Sequence, residues 1–167
     1  KAFEETFKES RNDLEQLNEN DLNTVRLIEI DSNPILISIL DMICLLRGIE
    51  QEKRKEVLDD PEFLNQIKSI DETKISQEVN TQVNAILNSE ALQKNNLEST
   101  APILLTIHHY ISFISLYAER CIAVRSIKTE IDIREKALAE FKENMDNNLK
   151  EIKKDEDQNA PSMKLYK

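Results

Sequence analysis

Two charged, helix-favouring flanks with narrow apolar stripes enclose a densely apolar middle, and this three-part pattern limits the folds open to the chain. In the first flank, residues 1–31, Phe3, Phe7, Leu14 and Leu17 follow the a/d spacing of a coiled coil. The stripe slips around Asn18–Asp21 and resumes at Leu22, Val25 and Ile28, as it would at a stutter or a local unwinding. In the last flank, Ile127, Ile131, Leu138, Phe141, Met145 and Ile152 fall on a and d positions, with Arg134 and Asn148 on two others. Neither flank can bury its stripe alone. The economical solution pairs the flanks antiparallel and holds the middle at the hairpin's tip. Flanks of roughly 30 residues at about 1.5 Å per residue would make a rod of roughly 45 Å. Equally open is an ordinary bundle, with both flanks folded back on the middle.

The middle, residues 32–123, predicts a compact set of helices. The whole chain has one glycine, Gly48, and four prolines, so little in it favours tight β-turns and the expected class is all-α. Ser32-Asn33-Pro34 reads as a helix stop and restart, with Pro34 suited to a first turn. Ile35 to Leu46 is apolar nearly all round, the mark of a central core helix, and Arg47-Gly48 ends it with a left-handed glycine. Helical material follows on both sides of Asp59-Asp60-Pro61, with Phe63, Leu64, Ile67 and Ile70 as its buried face. Asp71–Ile75 suits a turn, and Val79, Val83, Ile86 and Leu87 mark another helix. Leu92 and Leu97 punctuate a polar loop. Ser99 or Thr100 is expected to cap a long apolar helix with Pro102 in its first turn. Beyond Asp155 the chain turns polar, contains Pro161, and reads as a frayed or interacting tail over 155–167.

Composition and motifs point away from several classes of function. A net charge of −10 argues against sequence-independent nucleic-acid binding and against anionic membrane surfaces, both of which call for basic patches. No apolar run is long enough to span a bilayer, and no signal-peptide pattern is seen. Position 1 is Lys1, which suggests a piece of a longer chain. Cys44 and Cys121 sit in apolar helical contexts and read as buried reduced thiols of a cytosolic protein. Adjacent His108 and His109 point about 100° apart on a helix, a poor arrangement for one metal ion. One glycine cannot build a phosphate-binding loop, and the basic run Lys53–Lys55 lies among glutamates. No active site, metal site or cofactor is expected.

Several segments in order resemble one family. Ala2–Glu5 through Leu14–Arg26 is similar to the ascending stalk helix of dynein heavy chains. Pro34 and then Ile43-Cys44-Leu45-Leu46 resemble that family's apolar first head helix. Asp60-Pro61-Glu62-Phe63-Leu64, then Ile67 and Ile70–Ile75, resemble the next segments, and Ser99–Tyr117 resembles the apolar helix that leads into the descending stalk. The likeness covers roughly residues 2–145. The sequence departs from the family at a double proline reduced to Asn33-Pro34 and at an absent proline near Arg125. It departs also at Tyr110, near a place where the family usually carries tryptophan, at a tryptophan missing from the start of the second head helix, and at Ser38, where a basic residue is usual.

The resemblance implies an all-α fold: a small helical bundle head at the tip of an antiparallel two-helix coiled-coil stalk. Residues 1–31 would ascend, 32–123 form the head, 124–154 descend, and 155–167 form the tail. It further implies a non-catalytic microtubule-binding module, monomeric, cytoplasmic and cytoskeletal, with affinity coupled to stalk register and ATP hydrolysed elsewhere in the parent motor. By family position the tubulin contacts would be Ser38, Lys74, Arg120 and Arg125. Residues 33–120 carry eight Lys/Arg against thirteen Asp/Glu, so binding would rest on a local patch and be weak and salt-sensitive. The alternative is a coiled-coil scaffold that dimerises or binds protein partners without gripping filaments.

Overall fold

The structure, a computed structural model, describes the backbone of residues 1–164 and the side chains of residues 1–160. Among these residues the regular structure is entirely helical: α1 (Ala2–Gln16), α2 (Glu19–Arg26), α3 (Pro34–Arg47), α4 (Arg54–Asp59), α5 (Phe63–Lys68), α6 (Gln77–Leu87), α7 (Lys94–Leu97) and α8 (Pro102–Lys164). Short 3-10 turns at Ile30–Ser32, Gln51–Lys53, Glu72–Lys74 and Glu90–Leu92 join them. The chain divides into two compact units, Lys1–Ile122 and the stretch from Ala123 onward.

Local chemistry sets the breaks in the first unit. The slip in the N-terminal stripe is a complete helix break: Leu17 is extended, and Asn18 opens α2 with a capping box. Its side chain accepts from the Asn20 amide at 2.9 Å, while the Asp21 carboxylate accepts from the Asn18 amide at 3.0 Å. Asn33 likewise caps α3, accepting from the Leu36 amide at 3.0 Å, with Pro34 in the first turn. Gly48 ends α3 at φ 65°, ψ 35°. The next amide, Ile49, then reaches back to the Cys44 carbonyl at 2.9 Å, which closes a Schellman motif. The expected cap of α8 lies one residue further on. Ala101 supplies the first acceptor carbonyl, to Leu105 at 3.2 Å, because Pro102 takes the first turn. Ser99 instead donates its hydroxyl to the Asn96 carbonyl.

Helix α3 is the centre of this unit, burying Leu36, Ile39, Leu40, Met42, Ile43 and Cys44 against α4, α6 and the short turns. Two arginines hold the periphery. Arg54, from the basic run that lies among glutamates, pairs with Asp41 and so fixes α4 on α3. Arg26 donates to the carbonyls of Leu58 and Asp60, both at 2.9 Å, which ties α2 to the end of α4. Between α6 and α8, the buried Ser115 hydroxyl lies 2.8 Å from both Asn80 and Asn84. Leu92 and Leu97, expected in a polar loop, are buried on short helical turns.

The N-terminal flank belongs to this same core. Phe7, Leu14, Leu22 and Val25 are buried in it. Expected to zip against residues 124–154, the stripe of α1 instead lies on an earlier part of α8. Phe3 meets Phe113 and Tyr117 at 5.9 and 6.5 Å, and Phe7 meets Tyr110 and Phe113 at 6.2 and 6.3 Å. These ring contacts bury large aromatic surfaces of both helices against each other. Tyr110 is fully buried, and its hydroxyl has no hydrogen-bond partner in good geometry.

The second unit is the remainder of α8. Its large apolar residues from Val124 to Ile152 are uncovered, with Ile127 at 59% and Phe141 at 61% exposure. Where a polar tail was expected from Asp155, the helix continues. Residues 155–160 contain no glycine or proline to stop it, and residues 165–167 lie outside the described residues. Among the described residues, no helix is long and apolar enough to cross a membrane.

Candidate functional site

Of the four residues singled out by sequence, Ser38, Lys74 and Arg120 lie in the first unit and Arg125 in the second. Ser38 is half-buried in the first half of α3. Lys74 is exposed on the turn Glu72–Lys74, where its ammonium lies 3.3 Å from Asp71. Arg120 lays its guanidinium 3.9 Å from the Phe3 ring centroid, a cation–π contact that pins the start of α1 to α8. Arg125 is exposed in the second unit. Lys74 and Arg120 are far apart along α1. Next to Lys74, Glu72 pairs with Arg11 at 3.4 Å, whereas Arg120 sits at Phe3, about 12 Å earlier on that helix.

Lys74 does have a partner cation that sequence reading missed. An open groove of about 510 Å³ runs between the end of α3 and the start of α6, and both Arg47 and Lys74 line it. Leu45, Leu46, Ile75 and Val79 supply apolar walls. Arg47 stood out in the sequence only as half of the helix stop Arg47-Gly48. The useful signal was that a C-terminal Arg, followed by a left-handed glycine, leaves its charge at a rim where the chain turns back.

Electrostatics inside the groove are simple. Lys74 is shared with Asp71, whose carboxyl is held below its ordinary value first by the Thr73 hydroxyl and then by the Thr73 amide. Arg47 forms no ion pair with any described residue. Ser76 caps α6 at the groove's edge, accepting from the Val79 amide at 3.2 Å, so the partial positive end of an 11-residue helix faces the same region. The result is a locally cationic, apolar-walled groove on a chain of net charge −10.

The histidines lie elsewhere, with ring centroids 5.8 Å apart. His108 is half-buried with its Nδ1 unpartnered, and its pKa is lowered first by burial and then by neighbouring His109. Cys44 is buried and Cys121 half-buried, and both are free thiols. Burial pushes the Cys44 thiol pKa up, which keeps it protonated and unreactive. No group of three or more His, Cys, Asp or Glu side chains among the described residues is placed to hold a metal ion. No protein-family model matches the chain, and no curated protein matches it.

Proposed function

We propose that this chain is the filament-binding head and distal stalk of a dynein-type motor heavy chain, gripping tubulin without chemistry of its own. The observation that carries the reading is the direction of α1 against α8. From Phe3 to Phe7 the set of partners moves back along α8, from Phe113, Tyr117 and Arg120 to Tyr110, Phe113 and Tyr117. That order supports a reading in which the two arms would enter and leave a head antiparallel. The seam positions Tyr110, Phe113, Tyr117 and Arg120 are spaced alternately by three and four residues. The same spacing continues without a break through Val124, Ile127, Ile131, Arg134, Leu138, Phe141, Met145, Asn148 and Ile152. In this reading the exposed stripe is the descending stalk face, covered in the working motor by an ascending helix. The polar members Arg134 and Asn148 weaken commitment to a single register. The module would act on cytoplasmic or axonemal microtubules.

Co-pelleting with microtubules across ionic strength tests the reading. Binding is expected at low salt and should fall steeply as salt rises. Lys74→Glu together with Arg125→Glu should reduce it several-fold. A wild-type chain that stays in the supernatant at every salt concentration sinks the filament reading, and unchanged pelleting of the double variant removes the assigned contacts.

The exposed stripe also favours a second reading, a coiled-coil scaffold that pairs with other proteins. Sedimentation equilibrium separates the two. A monomer that pellets with microtubules supports the motor head, whereas a stable dimer indifferent to filaments supports the scaffold.

A further inference from the structure

We infer that the groove between the end of α3 and the start of α6 is a docking site for an acidic peptide segment carrying one aliphatic side chain. Three features of the groove fix that chemistry. Its walls include Leu45, Leu46 and Val79, each half-buried, so an aliphatic side chain seated there covers the apolar surface they still show. Arg47 stands at one end with no ion pair among the described residues, and a carboxylate suits its planar fork. Lys74 and the amino end of α6 stand at the other, with Asp71 as the one opposing charge. A basic or neutral occupant would leave Arg47 without an ion pair, and a nucleic acid would meet the acidic surface that dominates the rest of the chain. Carboxylates placed on both sides of a short apolar residue satisfy every group named.

The inference goes beyond the filament reading, because it needs only the groove and not a tubulin surface. The test uses the full chain and a fluorescein-labelled poly-glutamate peptide with one central leucine, followed by anisotropy at low salt. Saturable binding is expected, weakened by about five-fold for each of Arg47→Ala and Lys74→Ala. Replacing the leucine of the peptide by serine should weaken binding by about ten-fold. Both variants change side chains outside the core, and circular dichroism checks that helicity is kept. Val79→Asp provides an independent check, since it should abolish binding from the apolar wall. Absence of saturable binding overturns the proposal. So does binding indifferent to Arg47 and Lys74, or equal for the leucine and serine peptides, because the attraction would then be a diffuse charge effect. Peptide binding by a chain that never pellets with microtubules retains the groove and sinks only the filament reading. Pelleting by a chain that ignores the peptide does the reverse.

Discussion

His108 shows how one partly buried side chain sets a property of the whole fold. Burial disfavours its charged form, and His109 adds repulsion, so the folded state holds His108 neutral at a pH where the unfolded chain would protonate it. A depressed histidine pKa means that the unfolded state binds more protons below the ordinary value of 6.5, so stability is full above that value and declines as pH falls through it. Asp60 and Asp71 act in a separate window. Asp60 is lowered first by the Glu62 amide, Asp71 first by the Thr73 hydroxyl, and their contribution is present above 3.8 and lost on further acidification. Urea unfolding followed by tyrosine fluorescence, at pH about 7.5 and about 5.5, should show lower stability at the lower pH. His108→Gln should flatten that difference. An undiminished slope in the variant would show that another group titrates.

At the scale of the element, polar breaks do as much as apolar stripes. The capping box at Asn18 turns a slipped heptad into two helices, and Leu14 and Leu22 reach the same core from either side of it. Asn18→Ala leaves both stripes intact but removes the acceptor for the Asn20 and Asp21 amides. It should cost about 1 kcal/mol in urea unfolding, with restoration by Ser or Asp. Leu14→Ala, at 0% exposure, should cost about 3 kcal/mol by the same measurement, since it opens a cavity between α1 and the core. If the cap variant proves the costlier of the two, the break at Asn18 carries a tertiary role that its local bonds do not explain.

At the scale of the molecule, the two units should differ sharply in how they resist opening. The first unit buries a single core around α3, with Ile39, Leu40, Ile43 and Val83 at 1% exposure or less. The second is a helix with no described side chain buried, held by its own backbone bonds and by local pairs such as Arg134 with Glu130. Hydrogen exchange should therefore find the slowest amides in α3 and α6 and fast exchange from Ala123 onward, and a covering partner should slow the second group selectively. Uniform protection in the chain alone would mean that the stripe is already covered by a second copy. Much of this architecture was legible in the sequence. Gly48, Asn33-Pro34 and the all-round apolar run after them fixed α3, because caps, φ restrictions and helical periodicity are local properties. The heptad spacing marked both stripes for the same reason. What faces what was not local. Nothing in the spacing of Phe3 and Phe7 says that Tyr110, Phe113 and Tyr117 cover them, or that Arg47 and Lys74 share a groove, since those matches depend on which distant surfaces bury the most area together. Only tertiary packing decided them, because burial is summed over the whole fold whereas a helix forms from bonds four residues apart.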